Sequence, residues 1–296
     1  VNILGIPNSG KSTLINKLVG KKISIVSHKV QTTRFCIKGI RMCDLDDNVQ
    51  SQIIFIDTPG IFDAKRRLDK AMVSAAYSEL NHTDKVIFIH DISKANLNDN
   101  SLKVLENILK IKSKVILVLN KIDLCSKDKL LERISRIEKL FNFEKVFLIS
   151  AKNGSGCDDL LSYLANLMPS HPFFYDKDTI SDLPEALLAS EITREKLFHT
   201  LNQELPYNLM VETENWVLNA DKSINIDQVI YVNKESHKPI ILGKAGTNIK
   251  RVGMTARKEL EELLSCKIHL FLFVKYKKNW MEDPRKYSSI GLNFNA

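Results

Sequence analysis

The chain has 296 residues, of which 44% are hydrophobic and 26% are charged, a composition typical of a globular protein long enough to form two domains. Its 43 basic and 35 acidic residues give a formal net charge of +8, which favours a polyanionic partner. The five cysteines are scattered without C-x-x-C spacing, and no apolar run approaches the ~20 residues of a membrane-spanning helix. These features argue against a disulfide framework, a zinc site and a membrane span.

The chain begins directly on the short apolar run Val1–Leu4, without an initiator methionine or a visible signal peptide. We therefore expect that a few residues are missing before Val1. The scattered cysteines are typical of reduced thiols and predict a cytoplasmic protein. Residues 5–12 follow with the pattern G-x-x-x-x-G-K-S and lead into an apolar helical stretch. A strand, this loop and a helix form the context in which backbone N–H groups cradle phosphates. Lys11 is predicted to contact the β- and γ-phosphates, and Ser12 to ligate Mg²⁺.

A second motif expected to lie near the phosphates, Asp57-Thr58-Pro59-Gly60, directly follows the apolar run Ser51–Ile56. We predict that Asp57 holds Mg²⁺ through water and that the Gly60 N–H senses the γ-phosphate. Between the two motifs lies a polar loop, Ser27-His28-Lys29-Val30-Gln31-Thr32-Thr33-Arg34, without a helical or strand period. One of its threonines, Thr33 in our interpretation, is expected to complete the Mg²⁺ shell when GTP is bound.

The base-side motifs follow two later apolar runs. Lys114–Leu119 leads into Asn120-Lys121-Ile122-Asp123, and Val146–Ile149 leads into Ser150-Ala151-Lys152. A carboxylate at Asp123 can accept hydrogen bonds from the N1–H and the exocyclic amine of guanine, whereas adenine presents the wrong pattern. Four motifs at the carboxyl ends of apolar runs, in this order, predict a GTP-binding domain. The predicted nucleotide-binding residues are Asn8, Ser9, Gly10, Lys11, Ser12, Thr13, Asp57, Gly60, Asn120, Lys121, Asp123, Ser150, Ala151 and Lys152.

Two positions qualify the expected chemistry. Ile61 occupies the place where small Ras-like GTPases carry a water-orienting glutamine, and an isoleucine cannot orient water by hydrogen bonding. No catalytic residue is therefore assigned beyond the phosphate contacts of Lys11, Thr33 and Gly60. Asn8 has two interpretations: a ligand for a potassium ion that replaces an arginine finger, or a residue suited to the turn.

Strand-like and helical stretches alternate through residues 1–168, which predicts a mostly parallel sheet with helices on both faces. The strands are expected at 1–4, 35–42, 51–56, 85–90, 114–119 and 145–149, and the helices near 12–19, 68–80, 101–110, 128–141 and 157–167. Residues 169–184, with Pro169 and Pro172, have no period and are predicted to be a linker.

Residues 185–280 follow a different order: a helix at 185–205, strands at 207–218 and 223–232, two helices around Gly243-Lys244-Ala245-Gly246, and a strand at 267–275. We interpret the run Ile240–Leu242 as strand-like. The order is that of a type II KH domain, in which the G-x-x-G turn lets about four single-stranded nucleotides lie across two helices.

The charges support an RNA-binding role for this loop. All of the excess positive charge lies in residues 1–168, but residues 238–258 contain six basic residues and no acidic one. The predicted RNA-binding residues are Gly243, Lys244, Ala245, Gly246, Lys250 and Arg251. A second basic cluster interleaves with aromatic residues in 275–287, and residues 281–296 are predicted to be a C-terminal tail. That cluster could bind RNA, contact an anionic membrane surface or pack on the domain.

The motifs quoted above resemble those of the Era family over essentially the whole chain, as do Glu195–Phe198 and Leu205–Tyr207. Ile6 and Val30 depart from the basic residue and the proline usual in that family. The resemblance implies a GTPase that assembles the small (30S) ribosomal subunit, uses Mg²⁺, binds the 3′ end of 16S rRNA through its KH domain, and associates loosely with the inner membrane. We expect a monomer that does not bind DNA. The alternatives are an RNA-binding protein in which GTP is structural, and a tRNA-modification GTPase.

Overall fold

The computed structural model describes residues 1–27, 29, 32–45, 49–94, 97, 99–112, 114–201 and 205–296. The chain divides into two compact units. The first unit comprises Val1–Ser24, Thr33–Asp182 and Gly291–Ala296, and the second comprises Ile25–Thr32 and Leu183–Ile290. His28, Val30 and Gln31 of the predicted polar loop lie outside the described residues.

The first unit is built on a six-stranded sheet with the order β2-β3-β1-β4-β5-β6. Only the β2–β3 pair is antiparallel among the described pairs, which confirms the prediction of a mostly parallel sheet. β4 and β5 are buried along their whole length, and both are apolar up to the polar residues at their carboxyl ends, His90 and Asp91 in β4 and Asn120 in β5. The strands are β1 (Asn2–Leu4), β2 (Ile37–Asp44), β3 (Gln50–Asp57), β4 (Val86–Asp91), β5 (Ile116–Asn120) and β6 (Lys145–Ile149).

Among the described residues of this unit, five α-helices follow β1, β3, β4, β5 and β6, and they bury their apolar sides against the sheet. They are α1 (Lys11–Val19), α2 (Arg67–Ser78), α3 (Asp99–Ile111), α4 (Lys127–Glu138) and α5 (Cys157–Leu167). Ala76, Ile108 and Ile137, one each from α2, α3 and α4, share a core cluster with Phe88 and Leu117 of the central strands. Helices α1 and α5 contact each other and β3. The helices therefore form separate packed layers on the sheet, as the alternating pattern predicts.

The segment predicted to be a linker, residues 169–184, makes specific contacts along the outer strands of the first unit. The amide of Ile40 in β2 donates to the carbonyl of Ile180 at 2.8 Å, and Ser181 forms an antiparallel bridge with Gly39. The side chain of Gln52 in β3 bonds the backbone of Tyr175, with its Nε2 2.8 Å from the carbonyl oxygen. Single side-chain and backbone contacts therefore hold this segment against β2 and β3.

The second unit contains a three-stranded sheet of order β7-β8-β9, in which β7 and β8 are antiparallel and β8 and β9 are parallel. Its elements are α6 (Glu185–Thr200), β7 (Leu209–Leu218), β8 (Ile224–Val232), α7 (His237–Leu242), α8 (Thr247–Leu264), β9 (Ile268–Tyr276) and α9 (Pro284–Ser288). This order confirms the type II KH arrangement. Two core clusters join α6 and α8 to one face of the sheet.

Two details of the predicted second half are wrong. The run Ile240–Leu242 belongs to helix α7, after which the Gly243 amide donates to the carbonyl of Pro239, four residues earlier, at 2.9 Å. Three consecutive apolar residues fit a strand or one turn of a helix equally well, so the run alone does not decide between them. The helix expected at 185–205 ends at Thr200, and the capping amide of Leu201 donates to the carbonyl of Leu197.

The basic and aromatic cluster of residues 275–287 packs on the second unit. The Trp280 and Tyr287 side chains are buried, and Tyr287 donates to the carbonyl of Met281. Lys277 forms an ion pair with Asp283 at 2.6 Å, and Lys286 pairs with Glu212. Of the alternatives that the sequence leaves open, the structure therefore favours the packed tail. Within the described residues, we find no helix with the length and apolarity that crossing a membrane requires.

Candidate functional sites

The loop between β1 and α1 adopts backbone conformations that require glycine. Gly10 has a φ of 103°, and a Cβ added there would lie 2.1 Å from Nδ2 of Asn120. A Cβ on Gly5 would lie 2.5 Å from the carbonyl oxygen of Ile89. Asn8 also has a positive φ, 66°, a region that asparagine tolerates better than most residues. The local geometry thus accounts for Asn8 as a turn residue, and its potassium interpretation stays a prediction.

Lys11 lies at the start of α1 with its ammonium group folded back over this loop. Its Nζ donates to the carbonyl oxygens of Gly5 and Ile6, each at 3.2 Å. Burial lowers the pKa of Lys11 to about 8, although the charge of Asp57 opposes the shift. The hydrogen bonds that Lys11 makes to described residues are to neutral carbonyls, so an added anion stabilises the charged ammonium and phosphate is a suitable partner. Ser9 is buried, and Thr13 is half-buried in the first turn of α1.

Ser12, Thr33 and Asp57 come together at the carboxyl end of β3. The hydroxyl oxygens of Ser12 and Thr33 lie 2.9 Å apart, and Thr33 Oγ1 is 3.5 Å from Asp57 Oδ2. Asp57 is fully buried, its Oδ2 accepts a 2.5 Å bond from Ser24, and its Oδ1 has no partner among the described residues. Desolvation raises the pKa of Asp57, although the bonds from Ser24 and Ser12 oppose the shift.

This corner fits a magnesium ion. Mg²⁺ prefers oxygen ligands, and it keeps several waters while taking few protein groups. Two hydroxyls and a buried carboxylate with an unsatisfied oxygen are such a set. Ser12 and Thr33 would hold the ion directly and Asp57 through water. When bound, the ion neutralises charge on the phosphate oxygens.

Gly60 and Ile61 continue from the Asp57 strand toward the phosphate loop. A Cβ on Gly60 would lie 3.0 Å from the backbone nitrogen of Pro7, so only glycine fits comfortably there. The Ile61 amide donates to the carbonyl of Gly5 at 3.2 Å, while its side chain is buried in the core cluster with Leu4. Ile61 therefore helps to hold the two loops together through its backbone and contributes packing through its side chain.

Asn120 joins three of the predicted loops in the first unit. Its Nδ2 donates to the carbonyl of Ser9 at 2.9 Å, and its Oδ1 accepts from the amides of Lys121 at 2.8 Å and Ala151 at 3.0 Å. The side chain is buried, and these bonds use both ends of its amide. Asn120 therefore organises the base-side loops.

The residues expected to contact the base lie around Asn120. Asp123 is exposed at the carboxyl end of β5, where it can receive a ligand. Ala151 is buried, Lys152 is exposed, and the buried hydroxyl of Ser150 has no partner among the described residues. Lys121, at a φ of 68°, donates from Nζ to the carbonyl of Asn8 at 2.9 Å. The structure thus brings the predicted phosphate, magnesium and base residues to the loops at one end of the first-unit strands.

Two residues of this site were missed by the sequence reasoning. Asp91 ends β4 and forms a 2.8 Å ion pair with Lys121, which fixes the lysine over the phosphate loop. The sequence could have indicated Asp91, because ligand-binding residues of parallel sheets lie at the carboxyl ends of apolar strands. Ser24 bonds Asp57 from 33 residues away, and nothing in the local sequence indicates that contact.

The loop Gly243–Gly246 lies in the second unit, between α7 and α8. Gly243 has φ 75° and ψ 172°, and a Cβ there would lie 2.8 Å from the amide nitrogen of Asn248. Gly246 has a φ of 76°, and a Cβ added to it would have no described atom within 4 Å, so the space beside it is open. Ala245 also has a positive φ, 51°. Lys244, Lys250 and Arg251 are exposed around this loop. The predicted RNA-binding residues therefore form one surface, in a different unit from the nucleotide residues.

Comparisons with known proteins agree with the GTPase and KH folds of the two halves of the chain. Residues 1–121 match the family described as 50S ribosome-binding GTPase, and residues 204–281 match the KH domain family. The chain is 48% identical over 294 residues to GTPase Era of Brucella suis biovar 1 (strain 1330), covering 99% of this chain and 93% of that protein. It is also 48% identical to GTPase Era of Agrobacterium fabrum (strain C58 / ATCC 33970), covering 99% of this chain and 91% of that protein.

Two solved structures superpose on nearly the whole chain. An Aquifex aeolicus Era variant bound to GDP and AlF4⁻ matches with a TM-score of 0.91 and 34% identity, covering 98% of this chain and 97% of the other. Era in complex with MgGDPNP and nucleotides 1506–1542 of 16S ribosomal RNA matches with a TM-score of 0.90, the same identity and the same coverage. The arrangement of the nucleotide loops, the KH fold and these matches agree, and the chain belongs to the Era family of GTPases.

Proposed function

We propose that this GTPase assembles the small ribosomal subunit and that its second unit binds the single-stranded 3′ end of 16S rRNA. The observation that carries the proposal is the exposed G-x-x-G loop, Gly243–Gly246, at the N-terminus of α8. The RNA in the similar Era complex described above has the same chemistry, which supports the choice of ligand.

The loop offers what a nucleic-acid backbone needs. The open space beside Gly246 allows a ribose-phosphate to approach the main chain closely. The backbone N–H groups at the start of α8 favour an anion, and Lys244, Lys250 and Arg251 add exposed positive charge. Residues 238–258 contain no acidic side chain to oppose it.

Because 16S rRNA is the RNA of the 30S particle, this ligand leads us to propose the 30S particle as the partner and the cytoplasm as the location. A peripheral membrane contact has weaker support. The basic residues that would touch anionic lipid include Lys275, Lys277 and Lys286, and each forms an ion pair with an acidic residue of the second unit. We therefore propose RNA as the principal partner and expect little binding to anionic vesicles.

The test is a filter-binding assay with a single-stranded 16S 3′-terminal fragment, measured with GDP and with a non-hydrolysable GTP analogue. Lys244→Asp combined with Ala245→Asp places two negative charges opposite the phosphates and should abolish tight binding. The matched control is Lys222→Asp combined with Ala220→Asp, the same charge change at exposed positions of the β7–β8 turn, and it should bind like the parent.

Single substitutions distinguish residues that contact the RNA phosphates from residues that recognise the base sequence. Lys250→Ala and Arg251→Ala should each lower the slope of log affinity against log salt by about one and leave sequence preference unchanged. Tight binding by the Lys244→Asp, Ala245→Asp double variant would overturn the assignment. Equal RNA affinity and equal assembly activity with GDP and the GTP analogue would favour an RNA-binding protein in which GTP is structural. Preference for tRNA over the 16S fragment would favour the tRNA-modification alternative.

A further inference from the structure

Within the first unit, the residue that follows β4 is bonded to both ends of the base-side loop. This residue, Ile92, is buried, and its amide donates to the carbonyl of Asn120 at 3.0 Å. Its own carbonyl accepts from Nη1 of Arg133 at 2.5 Å and from the thiol of Cys125 at 3.4 Å. Both backbone polar groups of Ile92 are therefore used, one by the start of the loop and the other by its end and by α4.

Arg133 reaches this carbonyl from the packed side of α4. It lies three residues after Leu130 and four before Ile137, and both of these side chains pack in the core cluster of the first unit. The Arg133 side chain is half-buried, and its Nη1 also lies 3.5 Å from Cys125 Sγ. One guanidinium group thus connects α4 to the end of β4 and to the residue that follows the base-side motif.

Asp123 lies in the short turn that Arg133 holds at its end. The turn, Ile122–Leu124, is one turn of 3-10 helix, and the Cys125 amide donates back to the carbonyl of its first residue at 3.1 Å. Before the turn, Asn120 is buried and bonded to three backbone groups. Because the Asp123 side chain is exposed, the place of its carboxylate depends on the backbone of this turn.

We infer that Arg133 is a positioning residue for guanine selectivity, acting on Asp123 through the contacts to Ile92 and Cys125. The inference rests on the predicted contact of Asp123 with guanine. That contact requires one carboxylate to accept from the N1–H and from the exocyclic amine together, and hydrogen bonds weaken steeply when they are misaligned. A turn that is already held in place also costs less to order when the base binds.

The test compares two nucleotides on the full-length protein. Inosine diphosphate lacks the exocyclic amine of GDP, so the ratio of the two dissociation constants measures how well the carboxylate is placed. Competition against fluorescent GDP gives both constants. Arg133→Met removes the donors and keeps an apolar side chain, and it should reduce the preference for GDP about five- to tenfold, the equivalent of one hydrogen bond. Affinity for inosine diphosphate should fall less than affinity for GDP.

Two further variants keep the result interpretable. Arg136→Met is the matched control, because it makes the same change in the same helix but removes only an exposed residue whose ion pair is with Glu132. It should keep the preference of the parent. Asp123→Ala should lose the preference, and adding Arg133→Met to it should cause no further loss, because Arg133 acts through Asp123. Urea unfolding without nucleotide identifies the variants that are folded.

Four results would overturn the inference. The first is a folded Arg133→Met variant with the GDP preference of the parent, and the second is an equal loss of affinity for both nucleotides, which a purely structural role predicts. The third is the same defect in Arg136→Met. The fourth is a further loss of preference when Arg133→Met is added to Asp123→Ala. An Asp123→Ala variant that still prefers GDP as the parent does would remove the contact on which the inference rests.

Discussion

Asn120 and Asp123 are three residues apart in one motif, yet the structure predicts that their removal has different effects. The Asn120 carboxamide is buried and makes three hydrogen bonds to backbone groups of Ser9, Lys121 and Ala151. At about 1 kcal/mol for each of the three bonds, Asn120→Ala should lower the free energy of unfolding by about 3 kcal/mol without any nucleotide. Asp123 is exposed, so Asp123→Ala should leave that free energy nearly unchanged while weakening guanine binding.

Urea unfolding followed by far-ultraviolet circular dichroism measures this difference. With a denaturant slope of about 2 kcal/mol per molar urea, the loss in Asn120→Ala corresponds to a midpoint lower by about 1–2 M. Both variants should bind GDP weakly, which calorimetry can verify. If nucleotide-free Asn120→Ala unfolded at the same urea concentration as the parent, the three bonds would not organise the loops, and the reasoning would fail.

Four further outcomes are expected. His90 is buried without a partner among the described residues, and desolvation lowers its pKa from 6.5 to about 4, so the neutral form is the one that folds. As the pH falls from 6.5 to 4, the unfolded chain binds the proton first. The parent should therefore lose about 3 kcal/mol of stability more than His90→Leu over that range, as measured by urea unfolding at each pH. Asp123→Asn should change the preference from guanine to xanthine nucleotides in competition binding, and equal affinity of the parent for ATP and GTP would contradict this. Ile61→Ala should cost about 2–5 kcal/mol in stability through the lost core packing, but change GTP turnover only modestly below the melting transition. If Asn8 ligates a monovalent cation, hydrolysis should be faster in potassium than in sodium, and Asn8→Ala should remove the difference; identical rates would leave Asn8 as a turn residue.

The sequence predicts best where a site depends on neighbours in the chain. The G-x-x-x-x-G-K-S loop and the G-x-x-G turn each need glycine at a positive φ, and Gly10, Gly243 and Gly246 supply it within a few residues of the groups they expose. The strand and helix alternation likewise predicts the parallel sheet, because the apolar period is a local property.

Contacts between distant residues could not be predicted in this way. The bond from Arg194 to the Thr32 carbonyl joins positions 162 residues apart, and the Ser24–Asp57 bond joins positions 33 apart. Neither pair has a composition or spacing that marks it, since any arginine can reach a carbonyl once the fold brings them together. The helical conformation of Ile240–Leu242 could not be predicted either, because the run exposes Ile240 and Leu242 and buries Ile241, a pattern that also fits a strand.

The contacts between β2 and residues 180–182 affect how the nucleotide domain can be produced on its own. β2 is the last strand on its side of the six-stranded sheet, and an uncovered edge invites pairing with strands of other molecules. Ile180 accepts the amide of Ile40, Ser181 Oγ donates to the carbonyl of Lys38, and Asp182 accepts the Lys38 amide. A fragment that stops at Met168 would leave this edge bare and should aggregate. A fragment that continues through Asp182 keeps the edge covered and should remain monodisperse.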